Sequence, residues 1–386
     1  MHKHLLAFVF CLGVANGVTA GESPAVGSPL VTRLEAEYQI KPNDIEVLHA
    51  LARALMQQVR TSPDARVAAR ADSLISRAQT LAPKHAQTWA LKAWSQMSRH
   101  QFSAALVSAR EAQRLEAGEP LSLGLLADAL VELGQYEQAV EVVQVMVDKA
   151  PGLPSYSRAA HLRFLHGDTV GAIELMAQAA RSAQSQSEEA VWVQMQLAEL
   201  YLQAGKTEDA EQIAADSLAV RPGWHPALAQ LAKVRVAQGR REHALSLYQQ
   251  AAARQPNPEY ILAIWKLADR LGNTREAKRA EKLLNAMALL DEKNGGLSRR
   301  VFVDFLSHNP RRITDAEKLA RSDLDSRPDI YGEDALAWTL HLGGKNAEAA
   351  QHMARALRLK TQDVTLSEHA TAIGAKKITL TMQEAP

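Results

Sequence analysis

The chain has 386 residues, with 44 lysines and arginines against 43 aspartates and glutamates, and a single cysteine. Because this balance leaves no basic excess to hold phosphates, we expect no nucleic-acid partner. One cysteine also excludes an intrachain disulfide and a metal centre built on cysteines.

Residues 1–20 have the pattern of a secretory signal peptide. A short start containing Lys3 precedes a mostly apolar run, Leu5–Val18, which is too short to span a membrane comfortably. Small residues before Gly21 resemble a cleavage site, with an uncleaved anchor as the alternative. We therefore expect an exported protein, periplasmic in a bacterium, with secretion or membrane association as alternatives. Removing Lys3 with this segment leaves 43 basic and 43 acidic residues (44 − 1 against 43).

Residues 21–43 form a predicted N-terminal extension before the periodic part of the chain. Residues 21–40 are rich in small residues and proline, so we expect them to be flexible or loosely packed. The periodic pattern then divides into residues 44–292 and a less regular stretch, 293–360.

An alanine recurs about every 34 residues over most of the chain. This period predicts a solenoid of stacked helical units, each contacting only its neighbours. The alanines are Ala71, Ala105, Ala139, Ala172, Ala210, Ala244, Ala277, Ala316 and Ala349.

Three further columns accompany this alanine. An alanine twelve residues upstream of the recurring alanine predicts that the two helices of a unit approach closely. A glycine five residues before the recurring alanine supplies the positive φ that ends the first helix. A proline twelve residues after the recurring alanine stops the second helix. The upstream alanines are Ala93, Ala127, Ala160, Ala198, Ala232 and Ala337. The glycines are Gly134, Gly167, Gly205, Gly239, Gly272 and Gly344, and the prolines are Pro83, Pro151, Pro222, Pro256 and Pro328.

Several positions depart from this pattern. Trp265 replaces the first-helix alanine of the seventh unit, and His100 replaces the glycine of the second. Residues 182–188 lengthen one connection. In the eighth unit we predict a first helix over 297–308, a capping box at 314–317 and a kink or subdomain joint.

The end of the chain, residues 361–386, is predicted to hold a capping helix and a tail. The helix is expected over residues 365–374, and the tail has no helical period.

Gly134-Gln-Tyr-Glu-Gln-Ala139 followed by Pro151 resembles a unit of the tetratricopeptide repeat family, and two further units are close to it. The resemblance covers about residues 44–360. It implies an all-α, right-handed superhelical solenoid of antiparallel helix pairs, whose first helices line a concave groove that binds proteins or peptides.

The family register places particular side chains in that groove. They are Trp94, Met97, Asp128, His161, Phe164, Leu165, Trp192, Met195, Glu199, Leu202 and Lys233. Large apolar groups dominate the set, which favours an apolar groove for a peptide or helix, edged by charges. Packing between helices of a tightly wound superhelix is the alternative.

The sequence offers no pattern for catalysis. It contains no Gly-x-Ser-x-Gly elbow and no phosphate-cradling glycine loop, so we expect no enzyme activity and no cofactor. His161 and His166 are five residues apart, which puts them on different helix faces, so no metal site is expected.

These patterns predict a non-enzymatic scaffold or adaptor of the bacterial cell envelope that binds a protein or peptide segment. One alternative is a self-associating assembly subunit, which concentration-dependent mass would reveal. Another is a regulatory part of an enzyme system.

Overall fold

The computed structural model describes residues 29–61, 64–183, 188–293 and 295–374. The predicted signal peptide and the tail from residue 375 lie outside these ranges. Within them the regular secondary structure is entirely helical. None of the helices in these ranges is both long and apolar enough to cross a membrane.

Twenty α-helices follow one another within the described residues. They are α1 Pro29–Ile40, α2 Ile45–Thr61, α3 Ala65–Leu81, α4 Ala86–Ser98, α5 Phe102–Leu115, α6 Pro120–Glu132, α7 Tyr136–Lys149, α8 Leu153–Leu165, α9 Thr169–Ser182, α10 Glu188–Gln203, α11 Thr207–Val220, α12 His225–Ala237, α13 Arg241–Arg254, α14 Pro258–Arg270, α15 Thr274–Lys293, α16 Arg299–Ser307, α17 Ile313–Ser326, α18 Ile330–Leu342, α19 Asn346–Ala356 and α20 Val364–Ile373. Helices α2 to α19 form nine consecutive pairs, which we number as repeats 1 to 9. The fold is an all-α repeat solenoid.

The predicted turn residues lie where the helices end. All six glycines of the predicted column follow a first helix by two residues and have φ between +66° and +83°. All five prolines follow a second helix by two residues. Each glycine accepts the left-handed conformation that closes a helix, and each proline prevents the next residues from continuing one.

The two alanine columns form the contact between paired helices. All nine recurring alanines and all six upstream alanines are buried. Because the small alanine side chain lets two helices approach closely, the period of the sequence reflects this packing.

Two positions that depart from the repeat pattern, His100 and Trp265, show how the structure accommodates them. His100 adopts φ +56° in place of the turn glycine. Trp265 is partly buried, and its ring meets those of Phe305 and His308 edge-on, each with a centroid separation of 5.3 Å.

Two predictions about local structure were wrong. Residues 29–40 are not loose but form α1, held through the buried Leu34. The sequence 314–317 is not a capping box, because α17 begins at Ile313 after a short 3-10 helix. The capping helix predicted over residues 365–374 is confirmed as α20, which begins one residue earlier, at Val364, because Asp363 caps it by accepting from the Leu366 amide.

The chain divides into two compact units, with Arg158 in the first and Ala159 in the second. The division falls within α8, and the eighth repeat is part of the second unit. Each unit is described separately below as the N-terminal unit, described residues 29–158, and the C-terminal unit, described residues 159–374.

Candidate functional site

The predicted groove residues of the N-terminal unit are packed inside it. Trp94 and Met97 on α4 are 2% and 1% exposed. Asp128 on α6 is also buried and faces Arg158, with Asp128 Oδ1 and Oδ2 at 2.8 and 2.7 Å from Arg158 Nε and Nη2. These three side chains therefore hold helices together in this structure.

A glycine makes room for the Arg158 guanidinium. A Cβ built on Gly124 would lie 2.9 Å from Arg158 Nη2, so only glycine at this position of α6 admits the side chain. Burial raises the pKa of Asp128 to about 6, although the facing Arg158 acts in the opposite direction. Asp128 was predicted to lie at the edge of the groove, but Arg158 covers its carboxylate.

The apolar residues predicted for the groove of the C-terminal unit are also mostly buried. Phe164 and Leu165 on α8 are 0% and 1% exposed, and Met195 and Leu202 on α10 are each 6% exposed. Trp192 is only partly buried. Of this apolar set, Trp192 keeps the largest accessible surface for a partner.

Glu199 on α10 is the centre of a polar network. Its carboxylate accepts from Lys233 Nζ at 2.7 Å, from Gln230 Nε2 at 3.3 Å and from Gln203 Nε2 at 3.1 Å. The Lys233 side chain is 14% exposed, so this pair lies close to solvent. The charges of Glu199 and Lys233 neutralise each other across neighbouring repeats.

The network continues into the end of the chain. The side-chain oxygen of Gln203 accepts from the backbone N–H of Val364 at 3.0 Å. Thr361 Oγ1 donates to the Phe164 carbonyl at 3.3 Å, and Thr169 Oγ1 donates to Gln362 Oε1 at 3.3 Å. We call residues Lys360–Val364 the returning segment, because it lies against α8, α9 and α10, near the start of the same unit.

Close main-chain approach fixes the returning segment at one point. A Cβ on Gly167 would lie 2.5 Å from the Lys360 carbonyl oxygen. Inside the segment, Thr361 and Asp363 are buried while Lys360 and Gln362 are exposed. The face formed by the ends of α8 and α10 and the start of α9 therefore holds a short non-helical stretch of polypeptide, and we call it the docking face.

His161 on α8 is buried beside charges of the ninth repeat. Burial lowers the pKa of His161 to about 3, with Asp329 raising it and Arg327 lowering it further. Asp329 caps α18 and pairs with Arg300 at 2.8 Å. Here too, a predicted groove residue faces the far end of its own unit.

The structure thus brings Phe164, Leu165, Glu199, Leu202 and Lys233 into one region of the C-terminal unit. It keeps Trp94, Met97 and Asp128 in the other unit. Sequence reasoning missed Thr361 and Asp363, the buried residues of the returning segment that lies on the docking face. The only local signal was the loss of the period after the ninth repeat, because repeat spacing reports contacts between neighbours alone.

Comparison with known protein families agrees with this architecture. Tetratricopeptide repeat family profiles match residues 163–234 and 227–259. No curated protein sequence matches significantly.

The human IFIT1 structures, with TM-scores above 0.5, share the fold of this chain. A human IFIT1 dimer with PPP-AAAA shares 16% identity with a TM-score of 0.55, covering 86% of this chain and 78% of that chain. The human IFIT1 dimer with m7Gppp-AAAA shares 17% identity, also at a TM-score of 0.55, covering 86% and 76%. PilW, a type IV pilus biogenesis factor, shares 19% identity with a TM-score of 0.44, covering 52% and 92%.

The fold and the repeat chemistry together define an all-α helical-repeat protein. Residues 163–259 of the chain match tetratricopeptide repeats. Proteins with these repeats are generally non-catalytic and serve in protein–protein interaction or assembly.

Proposed function

We propose that this protein is a non-enzymatic scaffold of the bacterial cell envelope, whose docking face binds a short non-helical segment of a partner protein. The observation that carries this proposal is the returning segment itself. Its contacts are those of a bound peptide, supplied by the protein's own chain.

The docking face contacts both main-chain and side-chain atoms of the returning segment. Gln203 accepts from a backbone N–H and Gly167 lets a backbone carbonyl come close, whereas the Phe164 carbonyl accepts from the Thr361 hydroxyl. The two main-chain contacts tolerate many sequences, because every peptide carries the same backbone groups. Specificity would come from the buried positions, where Thr361 and Asp363 favour a partner with small polar residues at alternate positions.

The returning segment would then compete with the partner for the docking face. A tethered segment has a high effective concentration, so it weakens any ligand that uses the same contacts. Partner binding would therefore require the segment to leave, and loss of a few hydrogen bonds of about 1 kcal/mol each sets the scale of this barrier.

The envelope assignment rests on residues 1–20. Their short basic start, apolar run and small residues are typical of a cleaved export signal. We propose a periplasmic location on this pattern, with a protein rather than a nucleic acid as the partner because the charges balance.

Self-association is a second candidate, favoured by the contacts that the returning segment makes with the docking face. A segment that docks in cis can dock on a second copy instead, which produces a dimer without any new interface. Sedimentation at increasing concentration distinguishes this arrangement from binding to another protein.

The test uses full-length protein and a fluorescent peptide of residues 357–368. We expect the T361A/D363A variant, whose own segment is weakened, to bind the peptide at least about tenfold more tightly than wild type does, since tethered competition is reduced. Adding Q203A should remove this gain. T371A, on the exposed side of α20, is the matched control and should behave like wild type.

Two results would contradict the proposal. One is no peptide binding by a folded T361A/D363A chain, with folding checked by far-UV circular dichroism. The other is peptide binding that Q203A leaves unchanged, which would place the peptide elsewhere.

A further inference from the structure

The first repeat contains a group of side chains that the docking face does not use. Glu46 and His49 lie on α2, and His85 precedes α4 in the second repeat. One ligand atom of each residue lies within 4.8 Å of those of the other two. We propose that these three residues bind a divalent transition-metal ion, of which zinc is the best fit.

The spacing along α2 suits a shared ion. Glu46 and His49 are three residues apart, so their side chains lie on the same face of the helix. A Glu-x-x-His pair on one helix is a recurrent way to present a carboxylate and an imidazole to one metal. His85 comes from the neighbouring repeat, 36 residues later, because stacking places residues about one period apart side by side.

His49 is held in a way that leaves one nitrogen for a metal. Its Nε2 is hydrogen-bonded to Thr88 Oγ1 at 2.7 Å, while its Nδ1 is buried without a hydrogen-bond partner. When Nε2–H donates to that hydroxyl, Nδ1 carries the free lone pair. A metal-bound histidine usually donates its other ring N–H in this manner.

His85 is also free to act as a ligand. It occupies the N-cap position of α4, yet its side chain makes no capping hydrogen bond, and its Nδ1 is buried without a partner. Its Nε2 lies 3.9 Å from Glu46 Oε1. The two imidazole rings have a centroid separation of 4.8 Å.

The three ligand atoms need to move only slightly closer together to bind one metal ion. Tetrahedral zinc with bonds of about 2.1 Å requires ligand atoms about 3.3 Å apart. The Glu46 side chain is 77% exposed and can move to supply this distance.

Two imidazoles and one carboxylate select among metals. Imidazole favours zinc and its transition-metal neighbours, whereas magnesium and calcium take oxygen ligands. Three protein ligands leave the remaining coordination to water, so this is an open site. The positive Arg53 guanidinium faces His49 as well and limits the affinity.

The experiment measures Zn²⁺ binding to the untagged full-length chain by competition with a chromophoric chelator. We expect one Zn²⁺ per chain, with affinity lowered about tenfold or more in E46Q and in H85A. Magnesium should not compete. H243A, an exposed histidine on α13, and H2A/H4A are the controls, and both should keep wild-type affinity.

A thermal readout covers the case in which H85A folds poorly. Zn²⁺ should raise the unfolding midpoint of wild type and leave that of E46Q unchanged, because Glu46 is on the surface and its loss spares the core. The proposal is overturned if wild type shows no stoichiometric binding, or if E46Q and H85A bind Zn²⁺ as tightly as wild type.

Discussion

Asp128 and Glu199 occupy the same position of the repeat, six residues before Gly134 and Gly205. Their partners differ. Asp128 on α6 pairs with Arg158 on α8, 30 residues later, and both side chains are at most 6% exposed. Glu199 pairs with the more accessible Lys233 and connects through Gln203 to Val364, 161 residues beyond Gln203.

The contrast shows what a repeat position does and does not determine. The register places an acid on the first helix in both cases. The residue that faces it then decides its role. A rigid guanidinium seals the carboxylate inside the N-terminal unit, whereas a lysine and an amide leave Glu199 able to support the returning segment.

Removing the two acids should separate these roles most strongly. We expect D128A to lower the free energy of unfolding by about 3–5 kcal/mol, because it leaves the buried Arg158 without its carboxylate. E199A should cost about 1–2 kcal/mol, since Lys233 can turn towards water. Urea unfolding followed by circular dichroism gives both values.

The double variant D128L/R158M is the control for the first of these. It removes both charges and should recover most of the lost stability. Equal losses for D128A and E199A would show that the two positions are equivalent after all.

His161, also six residues before a turn glycine, tests the comparison by pH. Because its pKa falls to about 3 on folding from an ordinary 6.5, the unfolded chain takes up a proton below pH 6.5 that the folded chain refuses. Stability should therefore fall as pH falls, by up to about 2 kcal/mol between pH 6.5 and pH 5.

The measurement is the unfolding midpoint of wild type and H161Q across this pH range. H161Q should lose this part of the acid sensitivity, while H166Q, an exposed residue just past the end of the same helix, should retain it. Parallel curves for wild type and H161Q would mean that the imidazole does not control the response.

The smallest expected effects concern the turns. G205A should destabilise by about 1 kcal/mol, because Gly205 has φ +73° and a Cβ there meets no other atom, so backbone strain alone acts. H100G should change stability by less, since relief of strain at φ +56° opposes loss of the ring contact with Phe102. A larger effect in H100G would show that His100 does more than close a turn.

Much of the fold was predictable because repeat chemistry is local. The six turn glycines, five prolines and two alanine columns each act within one helix pair, and the structure confirms their places. Helix α1 was missed because its sequence carries little period and buries only Leu34.

The candidate site was predictable only in part. The register placed Phe164, Glu199 and Leu202 on first helices, where the structure also has them, but that they line a groove stays a prediction. It could not indicate that Thr361 and Val364 return to them, because no period relates residues 161 to 197 positions apart. Spacing along a single helix likewise gives no sign of His49 and His85 as a pair, because they lie in different repeats and only stacking brings them together.

The returning segment also sets the order of events during synthesis. A ribosome adding about 5–20 residues per second needs roughly ten to thirty seconds to pass from Gln203 to Val364. Throughout that interval the docking face has been made and its own ligand has not. A partner present at the ribosome would therefore meet this face with no competitor, whereas the finished protein holds it closed.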